Sequence, residues 1–359
     1  MPAPESSRLP PAQLRLVSDT APGISRRRSG QGFRYTDANG RPLRDRAALD
    51  RIRRLAIPPA WTDIWIAADA RAHLQATGRD ARGRKQYRYH TTFRAAQEQE
   101  KFGRLAAFSR ALPSLRRTLR RDLGRADRGR EQVLALLVSL LEATYIRVGN
   151  DAYTRDNGSY GLTTLEDRHV TISGETIAFA FRGKGGKDRR VELRDRRLAR
   201  LVKCCRDIRG PHLFQYIDAR GHRRPAHSSD LNAYLGMITG QHFTAKDFRT
   251  WGATLLTARL LDQRMLVGSR VPGKSALIED VAAVAAELGN TPAICRKSYI
   301  HPLLLETYLR PDSWSRWRRS RQGRPVSGLS SAESRLLRFL TASTSATRRA
   351  YQTTGRKAG

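Results

Sequence analysis

The spacing of apolar residues changes along the chain, and this change limits the folds that the chain can adopt. Before residue 95, segments such as Ile57–Ala67 and Gly83–Phe93 alternate with the two-residue period of half-buried strands. From Ala95 the period becomes helical, and Gly129–Val148 is apolar enough to be a central core helix. The segment Gly161–Leu193 returns to the two-residue period and predicts three antiparallel strands. The predicted class is α+β, with a small N-terminal β-sheet domain and a larger, mainly α-helical domain containing a three-stranded antiparallel sheet.

The same pattern predicts the domain limits. Residues 1–30 are rich in Pro, Ser and Arg without periodicity, which indicates a flexible basic arm. The sheet domain is expected over residues 31–95 and the helical domain over residues 96–310, with Pro113 at the start of a helix. Residues 311–359 form a basic C-terminal extension.

The charge of the chain indicates its partner. Lys and Arg number 67 against 33 Asp and Glu, so the net charge is 67 − 33 = +34. Such a charge repels itself unless a polyanion neutralises it, which favours nucleic acid. The longest mainly apolar run, Val133–Leu141, is far shorter than the ~20 residues of a membrane span. No apolar signal core precedes it, so we expect a cytoplasmic protein with no membrane partner.

Common active-site patterns are mostly missing from the sequence. No cluster of His, Cys or carboxylates has metal-ligand spacing, and the three cysteines form no C-x-x-C pair, so we expect no metal and no cofactor. The segment Gly268–Ser275 matches the phosphate-binding pattern G-x-x-x-x-G-K-[ST]. The residues before it, Leu255–Val267, are helical in pattern rather than a strand. We therefore predict a loop between two helices and no nucleotide cofactor.

Five residues stand in order within short, specific motifs. They are Arg147 in YIRVGN, Lys184 in FAFRGK, Arg249 in KDFRTW, Asn290 in NTP and Tyr299 in CRKSYIHP. Each has an ordinary explanation alone: a solvated arginine, a turn lysine, a helix-capping asparagine or a core tyrosine. Together, with GLTTL, IPPAWTDIW and GRKQYRY, they resemble the type IB DNA topoisomerases, and the small poxvirus and bacterial enzymes fit best. The resemblance extends from about Gly32 to about Leu309.

The resemblance implies a catalytic site. Tyr299 is the nucleophile that attacks a phosphodiester of one DNA strand and forms a 3′-phosphotyrosine, after which the free end swivels and is religated. Arg147 and Arg249 meet the negative charge of the transition state. Asn290 donates to the same phosphate, at a position where the family often has histidine. Lys184 protonates the departing 5′-oxygen.

The resemblance also implies the DNA contacts, with Lys187 as a DNA-binding residue and the alternative acid. Gln86, Tyr87 and Tyr89 correspond to major-groove contacts, and Tyr153 to a contact near the cleavage site. Double-stranded DNA is thus the expected partner, held between the sheet domain and the catalytic domain by a monomer at the nucleoid. Neither ATP nor a metal ion is required, since the phosphotyrosine is again a diester and keeps the bond energy.

Two other functions are compatible with parts of the sequence. A tyrosine recombinase uses the same nucleophile but generally carries H-x-x-R where this chain has Lys246-Asp247-Phe248-Arg249. A non-catalytic, basic DNA-packing protein would account for the charge. It would not account for an ordered active-site set, and the IPPAW segment favours the topoisomerase over the recombinase.

Overall fold

The computed structural model describes residues 13–127, 129–208, 210–268 and 270–342. The chain divides into two compact units between Phe102 and Gly103. The change to a helical period predicted this division after residue 95, near the start of a helix, whereas the structure places it close to the end of that helix. The observed elements confirm the predicted α+β class.

The N-terminal unit is a five-stranded antiparallel sheet with the strand order β2-β1-β3-β4-β5. Its core joins one face of the sheet to one helix, through Ile24, Ile64, Ile66 and Ala76 from strands and Ile52 from the helix. The elements are β1 (Ile24–Ser29), β2 (Gly32–Thr36), α1 (Arg46–Arg54), β3 (Thr62–Ile66), β4 (Leu74–Arg79), β5 (Lys85–Tyr89) and α2 (Thr91–Gly103).

Strand β1 corrects the expected flexible arm of residues 1–30. Ile24 is buried, and the Arg26 guanidinium lies 4.1 Å from the centre of the Phe33 ring. The same guanidinium donates to the carbonyl oxygens of Pro58 and Trp61 over 3.0 and 2.8 Å. Arg26 therefore packs on the sheet and bonds to the segment before β3, because a long apolar stem lets a charged side chain cover apolar surface, while Arg27 and Arg28 are exposed. Residues 1–12 of the predicted arm lie outside the described residues.

The C-terminal unit is mainly helical. Its elements are α3 (Leu105–Leu123), α4 (Arg130–Thr144), α5 (Asp151–Asn157), β6 (Val170–Ser173), β7 (Thr176–Arg182), β8 (Asp188–Arg194), α6 (Arg196–Arg206), β9 (Gln215–Ile217), β10 (Arg223–Pro225), α7 (Ser228–Thr239), α8 (Ala245–Val267), α9 (Gly273–Leu288), α10 (Pro292–Ser298), α11 (Pro302–Thr307), α12 (Pro311–Arg319) and a last helix over residues 331–342. Strands β6, β7 and β8 form the predicted three-stranded antiparallel sheet.

Pro113 lies inside α3 instead of starting a helix. The buried face formed by Leu112, Leu115 and Leu119 holds the helix together across the hydrogen bond that proline cannot donate.

Helix α4 lies at the centre of this unit and packs against α3, α7 and α8. Nearly all its residues from Gln132 to Leu141 are buried, as the apolar sequence predicted. The helix ends at Thr144 and not at Val148, because Tyr145 takes a left-handed φ of 53°. This early end leaves Arg147 in a segment without regular secondary structure.

The predicted basic extension after residue 310 is folded as far as residue 342. Helix α12 buries Trp314 and Trp317. From the last helix, Arg335 forms a close ion pair with Asp262 of α8 and donates to the Trp317 carbonyl oxygen over 2.8 Å. The described part of the extension therefore belongs to the C-terminal unit, and residues 343–359 lie outside the description.

Candidate active site

The start of helix α8 sets the position of Arg249. The backbone N–H of Thr244 donates to the Asp247 carboxylate over 2.7 Å, and the Thr244 hydroxyl donates to the same oxygen over 3.0 Å. This capping arrangement fixes the first turn of the helix. It brings Arg249 to the buried side, where only 4% of the residue is exposed.

The Arg249 guanidinium connects α8 to the ends of two other helices. It donates from Nη1 to the carbonyl oxygen of Tyr145 after α4, and from Nη2 to that of Leu288 at the end of α9 over 2.9 Å. The Tyr145 ring lies against Gly252, where a Cβ would come within 2.2 Å of a ring carbon, so only glycine fits. Both acceptors are neutral backbone oxygens, which leave the positive charge of Arg249 available to an anion.

Arg147 and Asn290 form a second pair beside the end of α9. The Arg147 Nη2 donates to Oδ1 of Asn290, and both terminal nitrogens lie 3.4 Å from the Gly289 carbonyl oxygen. Gly289 ends the helix with a left-handed φ of 61°. The Nδ2 of Asn290 is buried and finds no acceptor among the described residues. Its N–H groups are therefore available to an acceptor that enters the site.

Tyr299 directly follows helix α10. Thr291 and Pro292 start that helix, with the Thr291 hydroxyl accepting from the Ile294 N–H over 3.3 Å. At the other end, the Thr254 hydroxyl of α8 donates to the Tyr299 carbonyl oxygen over 3.2 Å. The backbone of Tyr299 is thus fixed between α8 and α10, and its side chain is half-buried.

The phenol ring of Tyr299 contacts the buried arginine. The guanidinium carbon of Arg249 lies 5.2 Å from the ring centre. Burial lowers the pKa of Arg249, and the positive charge of Arg147 lowers it further, while Tyr299 opposes the change. Two guanidiniums that destabilise each other are stabilised together by an anion between them. The site is therefore suited to a phosphate next to a phenol.

Lys184 and Lys187 lie in the turn between β7 and β8. The Gly183 N–H donates to the Lys187 carbonyl oxygen over 2.7 Å and closes the turn, and Gly185 and Gly186 take positive φ angles of 79° and 74°. Both lysine side chains are exposed. Within the described ranges, neither ammonium has a hydrogen bond or an ion pair. The structure thus brings together Arg147, Arg249, Asn290 and Tyr299, and carries the lysines on an adjoining hairpin.

Comparison with known proteins shows the family of the chain. Residues 90–310 match the family described as "Eukaryotic DNA topoisomerase I, catalytic core", and residues 32–80 match "Bacterial DNA topoisomerase IB, N-terminal domain". The first match covers more than half of the chain. The chain belongs to the type IB DNA topoisomerase family. It is accordingly an enzyme of the isomerase class, and the resemblance read from the sequence is confirmed.

Viral members of the type IB topoisomerase family are similar along most of their length. The chain is 34% identical to DNA topoisomerase 1B of Acanthamoeba polyphaga mimivirus over 293 residues, which is 80% of this chain and 87% of the relative. It is 24% identical over 271 residues to DNA topoisomerase I of Monkeypox virus and to DNA topoisomerase 1B of Vaccinia virus (strain Copenhagen). These alignments cover 73% of this chain and 82% of each relative.

The predicted DNA contact Tyr153 lies on α5, a surface helix. Asn150 caps this helix by accepting from the Tyr153 N–H over 2.9 Å. The helix buries none of its residues. Asp151 pairs with His227 over 2.9 Å, and Thr154 bonds to Thr164 over 3.1 Å. The Tyr153 side chain itself is half-buried on this surface helix.

The other predicted contacts of this topoisomerase IB chain lie on strand β5 of the N-terminal unit. Tyr87 and Tyr89 stack with ring centres 6.0 Å apart and are 47% and 38% exposed, which fits a contact surface. Gln86 points to the opposite side of the strand because side chains alternate. Its amide donates to the Asp80 carboxylate over 3.0 Å.

One arginine beside the site was not singled out from the sequence. Arg189 of β8 donates to the carbonyl oxygens of Ala286 and Glu287, over 3.1 and 2.9 Å. The sequence could have indicated it by its place in the two-residue alternation. Arg189 shares the inward-facing positions of the strand with Val191 and Leu193, where an apolar residue is expected.

The segment that matches the phosphate-binding pattern lies between two helices. Helix α8 continues to Val267 and α9 begins at Gly273, so a loop from Gly268 joins two helices as predicted, and Gly273, Lys274 and Ser275 already belong to α9. Ser269 lies outside the described residues. Across the described ranges, no group of three or more His, Cys, Asp or Glu residues could hold a metal ion. None of the helices described is long and apolar enough to cross a membrane.

Proposed function

We propose that this chain relaxes supercoiled DNA by cutting one strand through Tyr299, letting the free end swivel, and resealing it. The observation that carries the proposal is the position of the Arg249 guanidinium against the Tyr299 ring, next to the Arg147–Asn290 pair. A buried guanidinium at this position can stabilise the negative charge that develops on a phosphate as the phenol oxygen attacks it. Membership of the family supports the same chemistry.

The proposed cleavage step exchanges one phosphodiester for another. The phenol loses its proton to water, its oxygen bonds to phosphorus, and the bond from phosphorus to the 5′-oxygen breaks. The product is a 3′-phosphotyrosine and a free 5′-hydroxyl. Religation is the reverse attack by that hydroxyl. Because the number of diester bonds is unchanged, we expect no requirement for ATP.

The arginines and Asn290 would stabilise the transition state. Arg147 and Arg249 present forked donors that stay charged, and the buried Nδ2 of Asn290 adds a neutral donor. Asparagine does not titrate, so no acid–base role is assigned to it. Since these donors would stabilise the negative charge added to the phosphate oxygens, we expect cleavage without a metal ion.

Lys184 is the proposed general acid, with Lys187 as the alternative. An ammonium in an exposed turn can approach the 5′-oxygen and give it a proton as the bond to phosphorus breaks. The two glycines of the turn take left-handed φ angles without strain, so the turn can present the flexible lysine side chains to a ligand at little cost.

We further propose that both units contact one DNA duplex and that a single chain suffices. Tyr87, Tyr89, Tyr153 and Lys187 are the proposed contacts, and Gln86 requires release from Asp80 to join them. With a net charge of +34, binding is expected to weaken steeply as salt rises. The corresponding localisation is cytoplasmic, in association with the nucleoid.

Relaxation of a negatively supercoiled plasmid tests the proposal. The purified chain should relax the plasmid in EDTA without ATP, and denaturing gels should show protein linked to a DNA strand. Tyr299→Phe should bind the plasmid yet form no adduct. Tyr160→Phe, which changes another half-buried tyrosine of the same unit, should retain both activities. An adduct in Tyr299→Phe, or a strict need for magnesium or ATP, would contradict the proposal.

A further inference from the structure

The end of helix α9 is bound by three arginines from different parts of the chain. Four successive carbonyl oxygens accept from them: those of residues 286 and 287 from Arg189, that of residue 288 from Arg249, and that of residue 289 from Arg147. The last carbonyls of a helix lack donors within the helix and carry a partial negative charge. This helix end therefore holds three cations together in one place.

Arg189 differs from the other two in its attachment. It stands on strand β8 opposite Phe181 of β7, close to the turn that carries Lys184. Its Cγ lies 3.1 Å from where a Cβ on Gly183 would be. Its guanidinium lies 2.6 Å from where a Cβ on Gly289 would be. The side chain thus fills the space between the residue before Lys184 and the residue before Asn290.

Burial and a neighbouring charge oppose a cation at this position, although the carbonyls of the helix end attract it. Burial lowers the pKa of Arg189, and the charge of Arg147 lowers it further, while Glu287 opposes the change. An apolar side chain would continue the inward face of β8 without this cost. What arginine supplies here is a pair of hydrogen bonds to two successive carbonyl oxygens from one planar group, which lysine cannot form.

We propose that Arg189 is a positioning residue that ties the β7–β8 hairpin to the end of α9, so that Lys184 is held in register with Asn290. The inference rests on the proposed function of Lys184 as the general acid. Arg249 and Arg147 also hold the end of α9, so loss of Arg189 frees the hairpin and leaves the phosphate-binding donors in place. Its loss should therefore impair protonation of the leaving group specifically.

A sulfur leaving group separates this role from others. DNA carrying sulfur in place of the 5′-oxygen at a cleavage site, first mapped with the wild-type chain, releases a thiolate, which departs without protonation because thiols have a pKa of about 8.5. Cleavage rates would be measured on oxygen and sulfur DNA for wild type, Lys184→Ala, Arg189→Ala and Arg189→Lys. Arg190→Ala is the matched control, since Arg190 is the next residue of the strand and is exposed.

Arg189→Ala should lose at least tenfold in rate on oxygen DNA and recover most of that loss on sulfur DNA, as Lys184→Ala should. Arg189→Lys should show the same recovery, because it keeps the charge but loses the pair of hydrogen bonds to the two carbonyl oxygens. It replaces the alanine variant if that variant does not fold. Arg190→Ala should match wild type on both substrates. An equal loss on both substrates, or no loss, would overturn the role of Arg189. If Lys184→Ala is itself not recovered by sulfur, the assignment of the acid fails instead.

Discussion

The guanidinium carbon of Arg249 lies 5.2 Å from the centre of the Tyr299 ring. The same helix, one and a half turns further on, holds the backbone of the tyrosine through the hydroxyl of Thr254. Helix α8 therefore fixes both the cation and the nucleophile. Because the two residues are positioned by one rigid element, a change at Arg249 tests the chemistry of the site with little effect on the location of Tyr299.

Arg249→Ala should slow DNA cleavage by about 10²–10³-fold, the typical loss for one oriented donor to a developing oxyanion. Arg249→Lys should recover only part of this rate, since an ammonium does not bond the Tyr145 and Leu288 carbonyls while facing the phosphate. Single-turnover cleavage with excess enzyme measures the effect. Arg259→Ala, an exposed position of the same helix, is the control and should cleave at the wild-type rate. Equal rates for the two alanine variants would remove Arg249 from the site.

Gly289 and Gly240 offer a matched pair of helix-ending glycines. Their φ angles are 61° and 62°, so alanine at either position costs about 1–2 kcal/mol of strain. A Cβ on Gly289 would meet the Arg189 guanidinium, whereas a Cβ on Gly240 meets nothing within 4 Å. Both variants should melt at a lower temperature, but only Gly289→Ala should also cleave DNA more slowly, by at least tenfold. A normal cleavage rate in Gly289→Ala would show that the contact with Arg189 does not matter for the reaction.

The candidate active-site residues could be predicted from the sequence because each lies in a short motif that is recognisable from its immediate neighbours. Arg147, Arg249, Asn290 and Tyr299 were all predicted from such segments, and the structure brings their side chains together. What the local patterns could not supply was the bonding that joins them. The carbonyls at the end of α9 became the meeting point only through contacts between residues about 40 to 140 positions apart.

Elements whose residues break the usual composition rules were predicted least well. Strand β1 was missed because its arginines suggested a solvated arm, although Arg26 bonds to the Trp61 carbonyl oxygen just before β3. Strand β4 was missed because LQATGR is polar in composition, yet five of its six residues are buried. Gln75 of this strand is satisfied by the carbonyl oxygens of Ala70 and Ala72. Burial of a polar residue depends on such tertiary partners, which periodicity does not reveal.

His301, two residues after Tyr299, should make the free energy of unfolding depend on pH. Burial lowers the pKa of His301 to about 4, while an unfolded histidine has a pKa near 6.5. Between these values the unfolded chain binds more protons, so the free energy of unfolding falls as the pH falls, by about 2–3 kcal/mol at pH 4.5. His301→Asn removes the titration and keeps an acceptor for the Leu303 N–H. Urea unfolding at pH 7.5 and 4.5 should show a smaller difference in this variant than in wild type. Equal differences would mean that His301 is not the group responsible.

Arg335 tests whether the chain after residue 310 belongs to the catalytic unit. Its guanidinium is buried, pairs with Asp262 of α8, and lies 4.2 Å from the centre of the Trp317 ring. Removing one partner of a buried ion pair costs about 3–5 kcal/mol, and we expect the lower limit for Arg335→Ala because the Asp262 side chain is 30% exposed. Arg319→Ala, which removes an exposed arginine of α12, should leave the melting temperature unchanged. Arg335→Met should fall between the two variants, since it keeps the packing on Trp317 and loses the charge. If Arg335→Ala melts with wild type, the last helix does not stabilise α8, and the segment is the independent extension that its basic composition suggested.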